Sequence, residues 1–178
     1  MRQDNRSRRI ALCAMISALA LIFLFASYLP YLLIAAPAFA GFLFAILTIE
    51  INRKWAVGAF CATALMTLLF CEKESAILFV FFFGYYPILK GKLEQLPSRI
   101  LEYFLKFTLF NFSIVSGYLV LIFLFSIPAA SFGFTGIGML AILLICANIV
   151  MLVYDVALSR MISVYWVKLH PKLKNIIK

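Results

Sequence analysis

Hydrophobic positions along the chain run together in six long blocks that carry almost no charge: residues 10–29, 33–49, 55–70, 75–89, 100–127 and 136–158. A helix needs roughly 20 apolar residues to cross a hydrocarbon core of about 30 Å, and each block approaches that length. The third and fourth are short, and the fifth opens with charges. Breakers mark the joints: Pro30, the run Asn52-Arg53-Lys54, the run Glu72-Lys73-Glu74, Pro97 and Pro128. The pattern predicts an all-α fold, a single domain over 1–178 built as an integral membrane bundle of six transmembrane helices. An even number of crossings puts both termini on one side.

Composition strengthens this reading. Hydrophobic residues make up 66% of the chain and charged ones 13%, with a mean hydropathy of +1.08. A soluble domain has too little interior for that much apolar surface, so the surplus belongs in a bilayer. On that basis Phe81 to Arg99, FFFGYYPILKGKLEQLPSR, reads as a membrane exit, with phenylalanines in lipid, tyrosines at the headgroups and cations in water.

The cations orient the bundle. With the N-terminus inside, the inner segments hold Arg2, Arg6, Arg8 and Arg9, then Arg53 and Lys54, then Lys90, Lys92, Arg99 and Lys106, and finally Arg160, Lys168, Lys172, Lys174 and Lys178. Only Lys73 is left outside. Cytoplasmic loops carry such an excess of Lys and Arg, which predicts cytoplasmic N- and C-termini. Lys106 and Arg160 lie slightly within the spans and are expected to snorkel to the inner surface.

The same distribution changes the meaning of the net charge of +9. These cations are split among loops and tails, with no basic helix on a soluble fold to carry them, so the expected partners are anionic membrane lipids and not nucleic acid. The tail HPKLKNIIK is also suited to a cytoplasmic partner. A cleaved secretory signal is not expected, because the apolar run from residue 10 to 37 far exceeds a signal core and Pro30 interrupts it. Ala38 and Ala40 then read as helix packing. Cys13, Cys61, Cys71 and Cys146 show no paired spacing and read as buried thiols.

Catalytic patterns are missing. The one histidine, His170, lies in the basic tail, which leaves no Ser-His arrangement within the spans. No clustered ligands suggest a metal, no glycine-rich loop precedes Lys-Ser or Lys-Thr, and only one aspartate, Asp155, falls in a span. Asp155 reads as a structural ion-pair partner or a snorkelling carboxylate. The expectation is a protein that is not an enzyme and carries no cofactor.

Binding residues are easier to nominate. Asn111 and Asn148 sit near the middles of the fifth and sixth spans, at one depth if these are antiparallel, where they bond each other or a ligand. At the outer face, Tyr28 and Tyr31 flank Pro30, Glu72, Lys73 and Glu74 join the third and fourth spans, and residues 131–135 join the fifth and sixth. This set suits capture of a small polar solute, or else forms an aromatic belt with solvated loops. In the first span Ala11, Ala14 and Ala18 share one helical face, and Ala14 to Ala18 is a small-xxx-small unit that lets another backbone approach closely. That face serves either the chain's own bundle or a separate membrane protein.

A basic N-terminus running into an alanine-rich first helix with Ala14 and Ala18, six spans and a length near 180 residues resembles the substrate-binding S component of energy-coupling factor (ECF) transporters. FFFGYYPILKGKLEQL resembles S-component-like bacterial membrane proteins. The resemblance implies a solute-binding importer subunit of the bacterial cytoplasmic membrane, taking a vitamin or a vitamin precursor. Its implied partners are a transmembrane T component, docked at Ala14 and Ala18, and two ATPases. The solute pocket would be built from the outer helix halves and the first outer loop, Tyr28 to Tyr31. Metal-uptake members carry an N-terminal histidine that this chain lacks, so cobalt and nickel are not expected. Two other classes stay open: a stand-alone secondary carrier, which calls for interrupted helices and a midplane ion site, and a non-enzymatic membrane scaffold or assembly factor.

Overall fold

The computed structural model describes residues 2–125 and 137–169, and every described element is helical. Helix α1 (Arg2–Phe25) is followed by two short 3₁₀ turns, Ala26–Tyr28 and Pro30–Leu32, then α2 (Ala35–Glu50) and α3 (Arg53–Phe70). Helices α4 (Lys73–Leu78) and α5 (Tyr86–Leu93) are the halves of one rod joined by a π turn, Phe79–Phe83. Helix α6 (Arg99–Phe123) and helix α7 (Ile137–Val164), the latter extended by a π turn at Tyr165–Leu169, complete the described chain. Five segments, Arg6–Tyr28, Arg53–Phe70, Lys73–Leu93, Arg99–Phe123 and Leu144–Lys168, are long and apolar enough to cross a membrane. Helix α2, with 16 residues, is the short one, spanning about 24 Å at 1.5 Å per residue.

The helices run up and down. At one end Tyr28 donates to the carbonyl of Phe70 (3.0 Å) and the Lys73 ammonium lies 5.3 Å from the centre of the Phe125 ring. At the other, Tyr165 donates to Glu50 (2.5 Å) and Asp155 meets Lys90 and Lys106. These are called the far end and the basic end below. The expected outer segment 131–135, the end of the fifth expected span, the start of the sixth and the tail with His170 lie outside the described residues.

Two packed clusters hold the bundle. In the first, α1, α2 and α3 meet through Ala20, Ala40, Ala56 and Ala59, whose short side chains let the backbones come close, while Phe44, Phe60 and Phe79 fill the space with ring centres 5.7 to 6.2 Å apart. Thr63 and Thr67 are buried there without needing partners from another helix, since each hydroxyl donates to the carbonyl four residues earlier. In the second, Phe82, Phe83, Tyr86, Phe110 and Tyr154 join the π turn and α5 to α6 and α7.

The interruption between α4 and α5 has a local cause. Pro87 has no N–H to offer the Phe83 carbonyl four residues earlier, and its ring crowds that carbonyl, so the regular ladder breaks. Gly84 instead donates to Phe79 across a wider turn (2.8 Å). Both backbone partners are accommodated by missing side chains. A Cβ on Gly41 of α2 would overlap the Phe83 carbonyl oxygen and lie 2.9 Å from its carbon, and one on Gly84 would overlap the Phe60 ring and lie 2.9 Å from the Phe79 carbonyl oxygen.

This rod corrects the first part of the reading of residues 81–99 as an exit into water, while Lys92 and Arg99 are exposed. Tyr86 is fully buried, Lys90 is 1% exposed, and the helix continues to Leu93, past the expected stop at 89. Lys90 passes inward because an acid awaits it on α7. The same acid overturns the expected snorkelling of Lys106, which is 2% exposed and faces inward. Cys61 and Cys146, expected to be buried, are exposed, whereas Cys71 is buried and Cys13 half-buried; all four are free thiols.

Gly41→Val is expected to lower stability by about 1–3 kcal/mol, because the added carbons meet backbone that cannot rotate away. Gly91→Ala, where a Cβ meets nothing within 4 Å, is expected to be neutral or slightly stabilising. Unfolding in detergent micelles titrated with sodium dodecyl sulfate measures both, and equal behaviour of the two variants would discredit the close approach at Gly41.

Candidate functional site, a cavity above a buried ion cluster

Between the π-turn rod, α6 and α7 lies a partly open cavity of about 320 Å³ towards the far end. Leu33 and Ile34, from the connection between α1 and α2, close one side of it. Its walls are otherwise Ile77 and Leu78 of α4, Phe81, Phe82 and Phe83 of the π turn, Phe110, Ile114 and Leu121 of α6, and Ala147, Val150 and Met151 of α7. Small side chains make the room. Gly117 lets α6 approach Ile77, whose Cγ2 would lie 2.8 Å from a Cβ there, and Ala147 leaves the α7 wall recessed.

Polar groups are sparse in this lining. Ser113 donates to the carbonyl of Leu109 (2.7 Å) and accepts from Tyr85 (2.5 Å), so its hydroxyl is occupied in tying the rod to α6. Glu74, in the first turn of α4, supplies the one charged side chain of the cavity wall among the described residues, and Tyr118 of α6 adds a phenol.

Phe82 forms the floor. Its ring stacks on Tyr86 at 5.0 Å and meets Phe110 edge-on at 4.7 Å, with Tyr154 at 5.7 Å. Beneath this aromatic layer, Tyr86 donates to Asp155 Oδ1 (2.5 Å) and Lys90 bonds the same oxygen, while Lys106 bonds Oδ2 (2.9 Å). Each lysine has a second acid one helical turn away, Glu94 for Lys90 and Glu102 for Lys106, both at 2.7 Å. Two ammoniums and three carboxylates thus share one site joining α5, α6 and α7. Side-chain exposure rises from 2% at the lysines to 44% at Glu94, which connects the cluster to the basic end. The Tyr154 hydroxyl, packed over Gly41, is buried and has no hydrogen-bond partner among the described residues.

The residues singled out in the sequence are dispersed by this geometry. Glu74 lines the cavity. Glu72 caps α4, accepting from the Ser75 N–H (2.9 Å), and Lys73 turns towards Phe125. Tyr28 bonds Phe70, and Tyr31 is 95% exposed on the connection that sends Leu33 and Ile34 to the cavity. Asn111 and Asn148 exchange two hydrogen bonds (3.1 and 3.2 Å), and each gives its other N–H to the carbonyl four residues earlier. Their amides thus bolt α6 to α7 and do not line the cavity. Ala11, Ala14 and Ala18 are exposed along α1, and Ala20 supplies the buried contact instead.

Asp155 is an ion-pair partner, one of its two expected roles, but sequence reasoning missed its partners, Lys90 and Lys106. Their signal was present: Lys90 and Glu94, and likewise Glu102 and Lys106, are four residues apart, and Asp155 is an unneutralised acid in a third apolar block. Among the described residues, no group of three or more His, Cys, Asp or Glu is arranged to hold a metal ion. Comparison with family models, with curated proteins and with solved structures finds no match for the chain.

Asp155→Leu is expected to cost about 3–5 kcal/mol, because it removes the buried carboxylate between two ammoniums and leaves them only Glu94 and Glu102 as counter-ions. Lys90→Met combined with Asp155→Leu is expected to cost less than Asp155→Leu alone, since Lys106 keeps Glu102 and the lost pair is replaced by apolar contact. Unfolding free energies of the single and double variants in micelles test this, and additive losses would contradict a shared site.

Proposed function

We propose that this chain is a membrane-embedded solute-binding subunit of the S-component type, which captures a small solute and depends on separate proteins for energy. The observation that carries the reading is the cavity itself. It lies between α4, α6 and α7 towards the far end and is lined on one side by the first connection, the arrangement that the resemblance to S components implies. An aromatic floor and a paired ion cluster separate it from the basic end. In this reading the basic end is cytoplasmic, by the excess of Lys and Arg there, and the protein resides in the bacterial cytoplasmic membrane.

Partner docking falls to α1. Ala11, Ala14 and Ala18 are exposed beside Met15 and Ile22, giving a low surface on which another helix can pack. A T component would dock there and the ATPases would attach through it; a vitamin or vitamin precursor is the solute class. A second reading, a stand-alone carrier, is favoured by the interrupted α4–α5 rod and the buried Lys90–Asp155–Lys106 cluster, both features that such carriers use.

Co-purification of the tagged chain from its native membrane in mild detergent, with mass spectrometry of what accompanies it, separates the two. The expected result is recovery of a membrane subunit with ATPases, lost in Ala14→Trp and Ala18→Trp while the variants elute and melt as the parent does. Isolation of the chain alone, with uptake into vesicles driven by an ion gradient, would replace the importer reading with the carrier.

A further inference from the structure

The cavity's chemistry narrows the class of solute, an inference that rests on the solute-binding reading above. A polyol or a heterocycle rich in donors and acceptors would lose water at every polar atom and regain few partners, because Ser113, Tyr118 and Glu74 are outnumbered in the lining by residues such as Ile77, Phe81, Phe110, Ile114 and Leu121. The body of a fitting ligand is therefore apolar. The charged group on the wall is Glu74, and competing claims on it are few. Lys73 points to Phe125, the Glu72 carboxylate caps α4, and Glu74 makes no ion pair or hydrogen bond among the described residues.

Glu74 on the wall repels an anion, the Glu72 carboxylate on the α4 cap adds to this, and Phe81, Phe82 and Phe110 make the lining aromatic. We infer that the cavity binds a small amphipathic cation, an apolar or aromatic body bearing one amine or quaternary ammonium, with the ammonium at Glu74 and the body between the π turn and α6. Charge at one end fixes the orientation, and the apolar walls supply the affinity.

Three probes of one shape isolate the charge: 4-phenylbutylamine, 4-phenylbutan-1-ol and 5-phenylpentanoate, titrated at pH 7 into the full chain in zwitterionic phosphatidylcholine nanodiscs. Ala147→Phe, which fills the cavity, reports binding to lipid alone. The expected result is saturable binding that Ala147→Phe removes, with the amine at least about tenfold tighter than the alcohol and the carboxylate weakest. Glu74→Gln is expected to abolish the amine's advantage and leave the alcohol unchanged, and Glu74→Asp to keep part of it, so that loss of charge is separated from misfolding.

Equal affinity for amine and alcohol in the parent, an amine preference that survives in Glu74→Gln, or no saturable binding of any probe would each overturn the assignment. The importer reading fails separately. Cation selectivity in a chain that co-purifies with no energising partner would keep this site and sink the importer. An assembled importer without that selectivity would do the reverse.

Discussion

Asp155 is the shared counter-ion for lysines that arrive on two other helices, and the lower half of the bundle is organised around it. An unpaired ammonium in an apolar interior is too costly to persist, so Lys90 and Lys106 fix the rotation of α5 and α6 relative to α7. Tyr86 completes the coordination of one carboxylate oxygen, and its ring in turn carries Phe82, the floor of the cavity. The acid thereby sets the position of an aromatic layer that it does not touch. Such a cluster adds little net stability over well-packed apolar side chains; its effect is to exclude other rotations and registers, which would strand a charge.

The upper half depends on backbone geometry. Pro87 breaks the ladder, the π turn absorbs the mismatch, and the Phe83 carbonyl comes to rest against Gly41 of α2. A wider turn also re-aims the side chains that follow it, sending Phe82 over the ion cluster and Phe81 to the cavity wall. Above this point the paired Asn111 and Asn148 hold α6 to α7, Gly117 brings α6 against the rod, and Ala147 leaves the α7 wall recessed. The result is a bundle that is densely packed and charge-balanced at the basic end and open and apolar towards the far end.

Much of the fold was legible in the sequence because burial in helices is a local property of apolar runs. The six blocks reappear as helical segments, and the breaks at Pro30, Asn52 and Glu72 fall between elements as expected. Boundaries defined by charge were less secure. Lys90 and Lys106 looked like exits to water, and the helices run on through both, since a cation marks the surface only if no acid meets it inside. Of the residues nominated for binding, Glu74 faces the cavity, and Asn111 and Asn148 satisfy one another; depth along a helix follows from residue number, but the direction a side chain faces does not.

What the sequence by itself determined is the class of molecule: apolar helices of membrane-spanning length, antiparallel by connection length, with cations gathered at one end. Those features follow from length, composition and the position of breakers, each readable one segment at a time. Only the tertiary structure decided which groups meet, namely Asp155 with two lysines, Gly41 with a carbonyl, and Glu74 with an apolar cavity. Such meetings depend on the rotation of each helix about its axis. In helices that are apolar on nearly every face, the hydrophobic pattern carries almost no signal for that rotation, and a few polar and very small residues fix it through contacts between distant parts of the chain.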